Sequence, residues 1–155
     1  MTMVASPVME RIYVASQLRP ADLPTLPQCG FKTVVDIRPD GEAAGQIPSA
    51  EIGQRLKELG MDFHYIPVPH GTIPDTAVDA LGDVLSHDSQ PVLLYCRTGR
   101  RAVRTLALSE ASRLEGPSLD QILNMVREAG FDAEDLKDNI AGRIARRGDP
   151  ATIGK

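Results

Sequence analysis

Residues 91–101 read Pro-Val-Leu-Leu-Tyr-Cys-Arg-Thr-Gly-Arg-Arg, so Cys96 is followed within five residues by Arg97, Arg100 and Arg101, and by the turn-forming Gly99. A thiol among guanidiniums loses its proton readily and becomes a nucleophile. The apolar run from Val92 to Tyr95 is too short for a helix and follows a proline, which predicts a buried parallel strand. Beyond it, Val103, Leu106 and Ala107 recur at helical spacing, with Ala102 and Leu108 beside them, which predicts a helix from about Arg100 to Ser112. Cys96 is therefore expected at the carboxyl end of a strand and below a helix N-terminus, where open N–H groups and the helix dipole favour negative charge. Such surroundings lower a cysteine pKa from about 8.5 to roughly 3.5–7.5, and Cys96 is expected to be acidic and solvent-reachable. A lone cysteine after a strand commonly serves as a small buried hydrophobe, but packing gives no reason for three arginines in the adjoining turn.

The elements that must hold this loop follow from periodicity. Strand patterns at Ile12 to Val14, Thr33 to Ile37, Phe63 to Val68 and Val92 to Tyr95 alternate with helical ones, which predicts an α/β domain whose largely parallel central sheet is flanked by helices. One helix is expected from about Ser49 to Leu59, with Ile52, Leu56 and Leu59 on one face and Gly60 as its cap. Another opens at Pro74 and turns Val78, Leu81 and Leu85 inward. After Ser112 the pattern is wholly helical: Leu119, Ile122, Leu123 and Val126 precede Gly130, and Leu136, Ile140 and Ile144 follow. The expected organisation is an α/β domain over 8–112, a helical C-terminal extension over 113–147 packed on it, and a flexible tail over 148–155. In open parallel sheets ligands bind outside the carboxyl ends of the strands, which places Cys96 beside Arg38-Pro39-Asp40-Gly41-Glu42 and Pro69-His70-Gly71-Thr72.

Composition narrows the function classes. The 155 residues are 42% hydrophobic and only 4% aromatic with no tryptophan, enough for one domain with an aliphatic core. A net charge of −4 argues against a nucleic-acid partner. The basic group Arg97, Arg100, Arg101 and Arg104 is local and suits a small anion. The two cysteines, Cys29 and Cys96, form no disulfide framework or zinc spacing, so a reducing cytoplasm is the expected home. No stretch approaches the 18 or so apolar residues of a membrane span, and Met1 to Ser6 lack the pattern of a secretion signal. No metal or cofactor is implied. Cys29, before Gly30 at the expected start of a strand, is read as buried and inert, and His64 and His87 as structural.

Only four residues separate Cys96 from Arg101. Tyrosine-type phosphatases place five there, and the shorter loop resembles that of the rhodanese sulfurtransferases, often Cys-Arg-x-Gly-x-Arg. The wider chain resembles a different family. The segment from Arg11 to Leu18, the run from Gly30 to Glu42, Ile66-Pro67-Val68 and the Tyr95-to-Arg101 loop together are similar to the phosphatase-like domain of the beta-lactamase hydrolase-like family. That resemblance spans about residues 8 to 112. It implies a tyrosine-phosphatase-like fold and a phosphatase-like hydrolase: Cys96 as nucleophile, Arg101 as oxyanion clamp, and Arg97, Thr98, Gly99 and Arg100 as substrate-binding loop. In phosphatases of this fold the general acid follows the third strand. His70 occupies that segment here, with a useful reference pKa of about 6.5. Asp75 is the nearest following carboxylate, and Asp36 and Asp40 are alternatives, although Asp36 also suits a turn cap. One departure stands out: Ala102 replaces the Ser or Thr whose hydroxyl would stabilise the thiolate, unless Thr98 turns inward to substitute.

The reading that results is a hydrolase acting on a phosphorylated small molecule or phosphoprotein through a phosphocysteine. The alternatives are a rhodanese-like sulfurtransferase or sulfide-metabolism accessory using a Cys96 persulfide, and a non-catalytic anion-sensing or partner-binding module. The pattern leaves the oligomeric state open.

Overall fold

A computed structural model of the chain describes residues 5–87 and 89–148. A five-stranded sheet runs in the order β1-β2-β5-β3-β4, built from β1 (Ala5–Met9), β2 (Ile12–Ala15), β3 (Thr33–Asp36), β4 (Asp62–Tyr65) and β5 (Val92–Tyr95). β2, β5, β3 and β4 are mutually parallel, and only β1 is antiparallel, paired with β2 at the edge. β1 has no counterpart among the expected strands. It joins β2 through Glu10 and Arg11, which carry none of the Gly or Asn signals of a tight hairpin, and Pro7 interrupts its pattern. An edge position tolerates that proline, and the register shifts between Pro7 and Met9.

The sheet divides two cores by simple alternation. Along β5, Val92 and Leu94 face one side and Leu93 and Tyr95 the other, all fully buried. The smaller core gathers Leu18, Leu23, Leu26, Val34, Ile52 and Leu56 under the short helical turn α1 (Thr25–Gln28) and α2 (Ser49–Glu58). α2 buries Ile52 and Leu56 as expected, whereas Leu59 is its half-exposed cap. The larger core lies under α3 (Asp75–Ser86) and α4 (Arg100–Ser112), where Pro74 is the residue before α3 rather than its first turn.

Every residue of α4 from Arg101 to Ala111 is buried, including Arg101, Arg104 and Glu110. Sequence periodicity suggested a one-sided helix. The other faces are covered by α5 (Leu119–Glu128) and α6 (Lys137–Ala145), so this helix is enclosed on all sides and its charges must be paired. α5 opens on a capping box in which the Ser118 hydroxyl accepts from the Gln121 N–H at 3.2 Å. Arg147 donates to the carbonyls of Glu110, Ala111, Gly116 and Pro117, tying the end of α6 to the link between α4 and α5. Apart from Gly148, the tail expected over 148–155 lies outside the described residues. Among the described residues no helix is long and apolar enough to cross a membrane.

Candidate active site

Strand alternation decides where the thiol points. Cys96 follows β5 on the same side as Val92 and Leu94, beneath α4, and is 1% exposed. The expected solvent-reachable thiol is thus corrected: the loop folds over it, and the sulfur lies in the wall of the larger core. Its hydrogen-bond donor is the Gly99 N–H, 3.1 Å from Sγ. Gly99 adopts φ 101°, a region that disfavours side chains, and serves as the N-cap of α4. Four residues carry the chain from strand to helix, and the first N–H groups of α4 lack partners within the helix.

The arginines separate sharply. Arg97 and Arg100 are exposed, while Arg101 is 6% exposed. Nη1 of Arg101 donates to Glu42 Oε2 at 2.7 Å and to the Val68 carbonyl at 2.8 Å, and Nη2 donates to Glu42 Oε1 at 2.8 Å. A guanidinium carries five N–H donors, so the Nε–H and one Nη2–H, which share the other edge of the planar fork, are not spent on these contacts. The segments after β3 and β4 do flank the loop, as the strand-end rule required. Arg104 does not join the anion site. It forms a bidentate pair with Asp135 at 2.8 Å and also donates to the Asp132 carbonyl, which holds the Asp135 carboxyl below the usual carboxylate range.

Glu42 is the residue that the sequence pattern failed to single out. Besides Arg101 it accepts from Arg38 Nε at 3.0 Å, and Arg38 reaches on to Gln17 Oε1 at 3.0 Å. The Gln17 N–H in turn donates to the Arg97 carbonyl at 3.2 Å, closing a ring of polar contacts around the loop. Chiefly through the Arg101 hydrogen bonds, opposed by burial and aided by Arg38, the Glu42 carboxyl is held at about 2. The signal that could have found it is the same Arg38-to-Glu42 segment, polar and turn-rich immediately after a strand.

Of the candidate acids, His70 stands at the site. Its side chain is 72% exposed and Nε2 lies 3.7 Å from Glu42 Oε2. Asp40 instead caps α2, accepting from the Ser49 N–H and hydroxyl at 2.7 and 2.8 Å, and Asp75 pairs with Arg143 of α6. Asp36 accepts from the Arg38 N–H at 2.8 Å as a turn cap, and burial pushes its carboxyl up to about 6. Beside it the Tyr95 hydroxyl is buried, and burial and then the Asp36 charge push that phenol up. His64 and His87 are exposed, away from the loop's contacts. Thr98 points outward, its hydroxyl accepting from the Arg100 N–H at 3.3 Å, so it does not replace the hydroxyl missing at Ala102. Cys29, read as buried, is exposed: it caps α1 instead of starting a strand. Among the described residues no group of three or more His, Cys, Asp or Glu side chains is placed to hold a metal ion.

A parallel sheet delivers a cysteine into a glycine turn, with a buried arginine at the head of the next helix, and the fold is that of the phosphatase-like α/β domains. The family model of the beta-lactamase hydrolase-like protein, phosphatase-like domain, matches residues 6–113, and the chain belongs to that family. It is 35% identical over 109 residues to the beta-lactamase hydrolase-like protein of Agrobacterium fabrum, a match covering 70% of this chain and 25% of the relative. The chain thus spans about a quarter of the curated relative's length. Among solved structures it is similar to a candidate phosphatase of Neisseria meningitidis, with 31% identity, a TM-score of 0.75 and coverage of 88% of this chain and 96% of that one. The fold is shared with kinase-associated phosphatase, solved with its catalytic-site cysteine changed to serine, at 15% identity and a TM-score of 0.68 over 86% of this chain and 87% of that one.

Proposed function

We propose that this domain is a cysteine-dependent phosphatase that hydrolyses a phosphoester through a phosphocysteine. The supporting observation is the pairing of a buried sulfur, given an N–H donor by Gly99, with a guanidinium whose far edge is fixed by Glu42 and Val68. In the first step Cys96 Sγ attacks phosphorus and the ester P–O bond breaks, the leaving oxygen taking the electron pair and a proton from His70 or water. In the second step water attacks phosphorus, the P–S bond breaks and the thiolate is restored. The unspent edge of Arg101 clamps two phosphoryl oxygens in plane, and the loop N–H groups not engaged by Cys96 Sγ or the Thr98 hydroxyl, those of Arg97, Thr98 and Arg101, meet the developing charge. Exposed Arg97 and Arg100 and the outward Thr98 flank the approach of the substrate, a phosphorylated small molecule or phosphoprotein. Kinase-associated phosphatase, which shares the fold, has a cysteine at its catalytic site.

A second reading is kept alive by Ala102 and by the four-residue spacing between Cys96 and Arg101. In it the Cys96 thiolate attacks the sulfane sulfur of a donor such as thiosulfate, the donor S–S bond breaks with release of sulfite, and the same donors stabilise the resulting persulfide anion. Intact mass spectrometry after separate exposure to an aryl phosphate and to thiosulfate decides between them. A phosphate-sized adduct lost in Cys96→Ser is expected. A sulfur-sized adduct alone would replace the phosphatase reading, and no adduct with either donor, alongside phosphate binding, would point to an anion-sensing module.

A further inference from the structure

The matched family region ends at residue 113, yet residues beyond it reach the thiol loop. α5 ends at Glu128, and three residues on Phe131 packs partly buried against the larger core. Its ring lies over Gly99: a Cβ placed on Gly99 would sit 3.6 Å from Phe131 Cε2 and 3.6 Å from the Ala15 carbonyl oxygen. The space beside the Gly99 Cα is therefore bounded by the end of β2 and by an aromatic ring from the C-terminal extension. It is the same residue whose N–H meets the Cys96 sulfur.

The segment that carries Phe131 is itself fastened to α4. Arg104, one helical turn after Arg101, is 5% exposed and makes three hydrogen bonds of 2.8 Å into this segment, to the Asp132 carbonyl and to both oxygens of Asp135. Asp132 Oδ1 accepts from the Glu134 N–H at 2.9 Å, and Ala133 is buried at 1% exposure. Head and first turns of α4 are thus gripped from two directions. Glu42 and Val68 hold Arg101 from the sheet side, and Asp132 and Asp135 hold Arg104 from the extension.

We infer that Phe131 and the Arg104–Asp135 pair are positioning residues for Cys96: they brace Gly99 so that its N–H stays aimed at the sulfur, making the C-terminal extension a working part of the site. This rests on reading Cys96 as the nucleophile. A glycine at positive φ has no side chain to resist rotation, so without the ring its N–H direction is set by the flanking turn and by the Val103 N–H bond to its carbonyl. An N–H bonded to a thiolate stabilises the charged form, and loss of its alignment disfavours that form.

The test is a pH titration of Cys96 by ultraviolet thiolate absorbance, in the full chain carrying Cys29→Ser, with folding of each variant checked by thermal unfolding. Phe131→Ala and Asp135→Asn are each expected to move the titration to higher pH by about one unit, a roughly tenfold loss of thiolate below the midpoint. A comparable loss in kcat with an aryl phosphate is expected, with KM changed little. Phe131→Leu, which keeps apolar bulk over Gly99, should restore both. A parental titration in Phe131→Ala and Asp135→Asn overturns the brace whatever happens to turnover. Should Phe131→Ala fail to fold, Asp135→Asn alone decides on the same criterion. A shifted titration in a protein that turns over no phosphoester would uphold the brace while removing the phosphatase reading.

Discussion

Glu42→Gln removes one charge from the centre of the site while keeping an oxygen that can accept a hydrogen bond. In the parent, the two Glu42 oxygens receive hydrogen bonds of 2.7 and 2.8 Å from Arg101 and one of 3.0 Å from Arg38. These contacts hold the carboxyl at about 2 instead of 4.5. Each pKa unit corresponds to about 1.4 kcal/mol, so the interval favours the ionised form in the folded state by about 3 kcal/mol. The Glu42 side chain is only 15% exposed, which keeps solvent screening modest. Because the folded-state pKa lies below the unfolded one, this stabilisation is present in full above about pH 4.5 and is lost as pH falls toward 2. Glu42→Gln should therefore lower the unfolding free energy by about 3 kcal/mol near neutrality, or roughly 6–12 °C in Tm for a domain of this size. The gap between the two proteins should narrow steadily below about pH 4.5. Urea unfolding followed by circular dichroism, at a series of pH values from neutral to about 3, measures both. Equal stability at neutral pH, or a penalty that does not change with acidification, would refute the assignment of Glu42 as the ionised anchor of Arg101.

Arg101→Lys should abolish most turnover, because an ammonium cannot both occupy Glu42 and present a planar fork to a phosphoryl group. Arg100→Lys should cost less in the same steady-state assay, since Arg100 is exposed, and equal losses would place the clamp at the wrong arginine. Asp36→Asn should stabilise the fold by about 1–3 kcal/mol near neutrality, because burial raises the Asp36 carboxyl from 3.8 to about 6 and the ionised form is the costly one. Stability contributed by that raised pKa is present below about 3.8 and is lost as pH rises through about 6, so thermal unfolding should show the variant's advantage vanish in acid. Asn can still accept from the Arg38 N–H. Ala102→Ser should speed breakdown of the phosphocysteine roughly tenfold to a hundredfold if the restored hydroxyl is fully used, as one charge-assisted hydrogen bond is worth about 1.5–3 kcal/mol. Burst kinetics with an aryl phosphate read that step directly, and an unchanged dephosphorylation rate in a folded variant would remove the hydroxyl from the mechanism.

Near Cys96 most of the architecture was legible because it is local. The proline, the four apolar residues of β5, Gly99 and the helical spacing from Val103 onward specify strand, turn and helix within some twenty residues, whereas the strand order β1-β2-β5-β3-β4 came only with the tertiary structure. Arg101 was told apart from Arg100 by the loop position it shares with the resembling family, and the structure buries Arg101 and leaves Arg100 exposed. β1 was missed because its hairpin lacks turn residues with a distinctive φ, and its pairing is supplied by the edge of β2. Cys29 was misplaced because α1 is a single turn with only Leu26 buried, too short for periodicity to register.

By itself the sequence determined the α/β alternation, the thiol at a strand end, the arginines clustered after it and the absence of a hydroxyl at Ala102, all properties of neighbours along the chain. Only the tertiary structure decided which of 21 acidic residues meets Arg101, that Arg104 turns to Asp135, and that Phe131 covers Gly99. Those partners lie 59, 31 and 32 residues apart. A buried charge must find a counter-charge, but burial itself is settled only when α3, α5 and α6 enclose α4, and nothing in the local pattern of a carboxylate records which guanidinium the fold will bring to it.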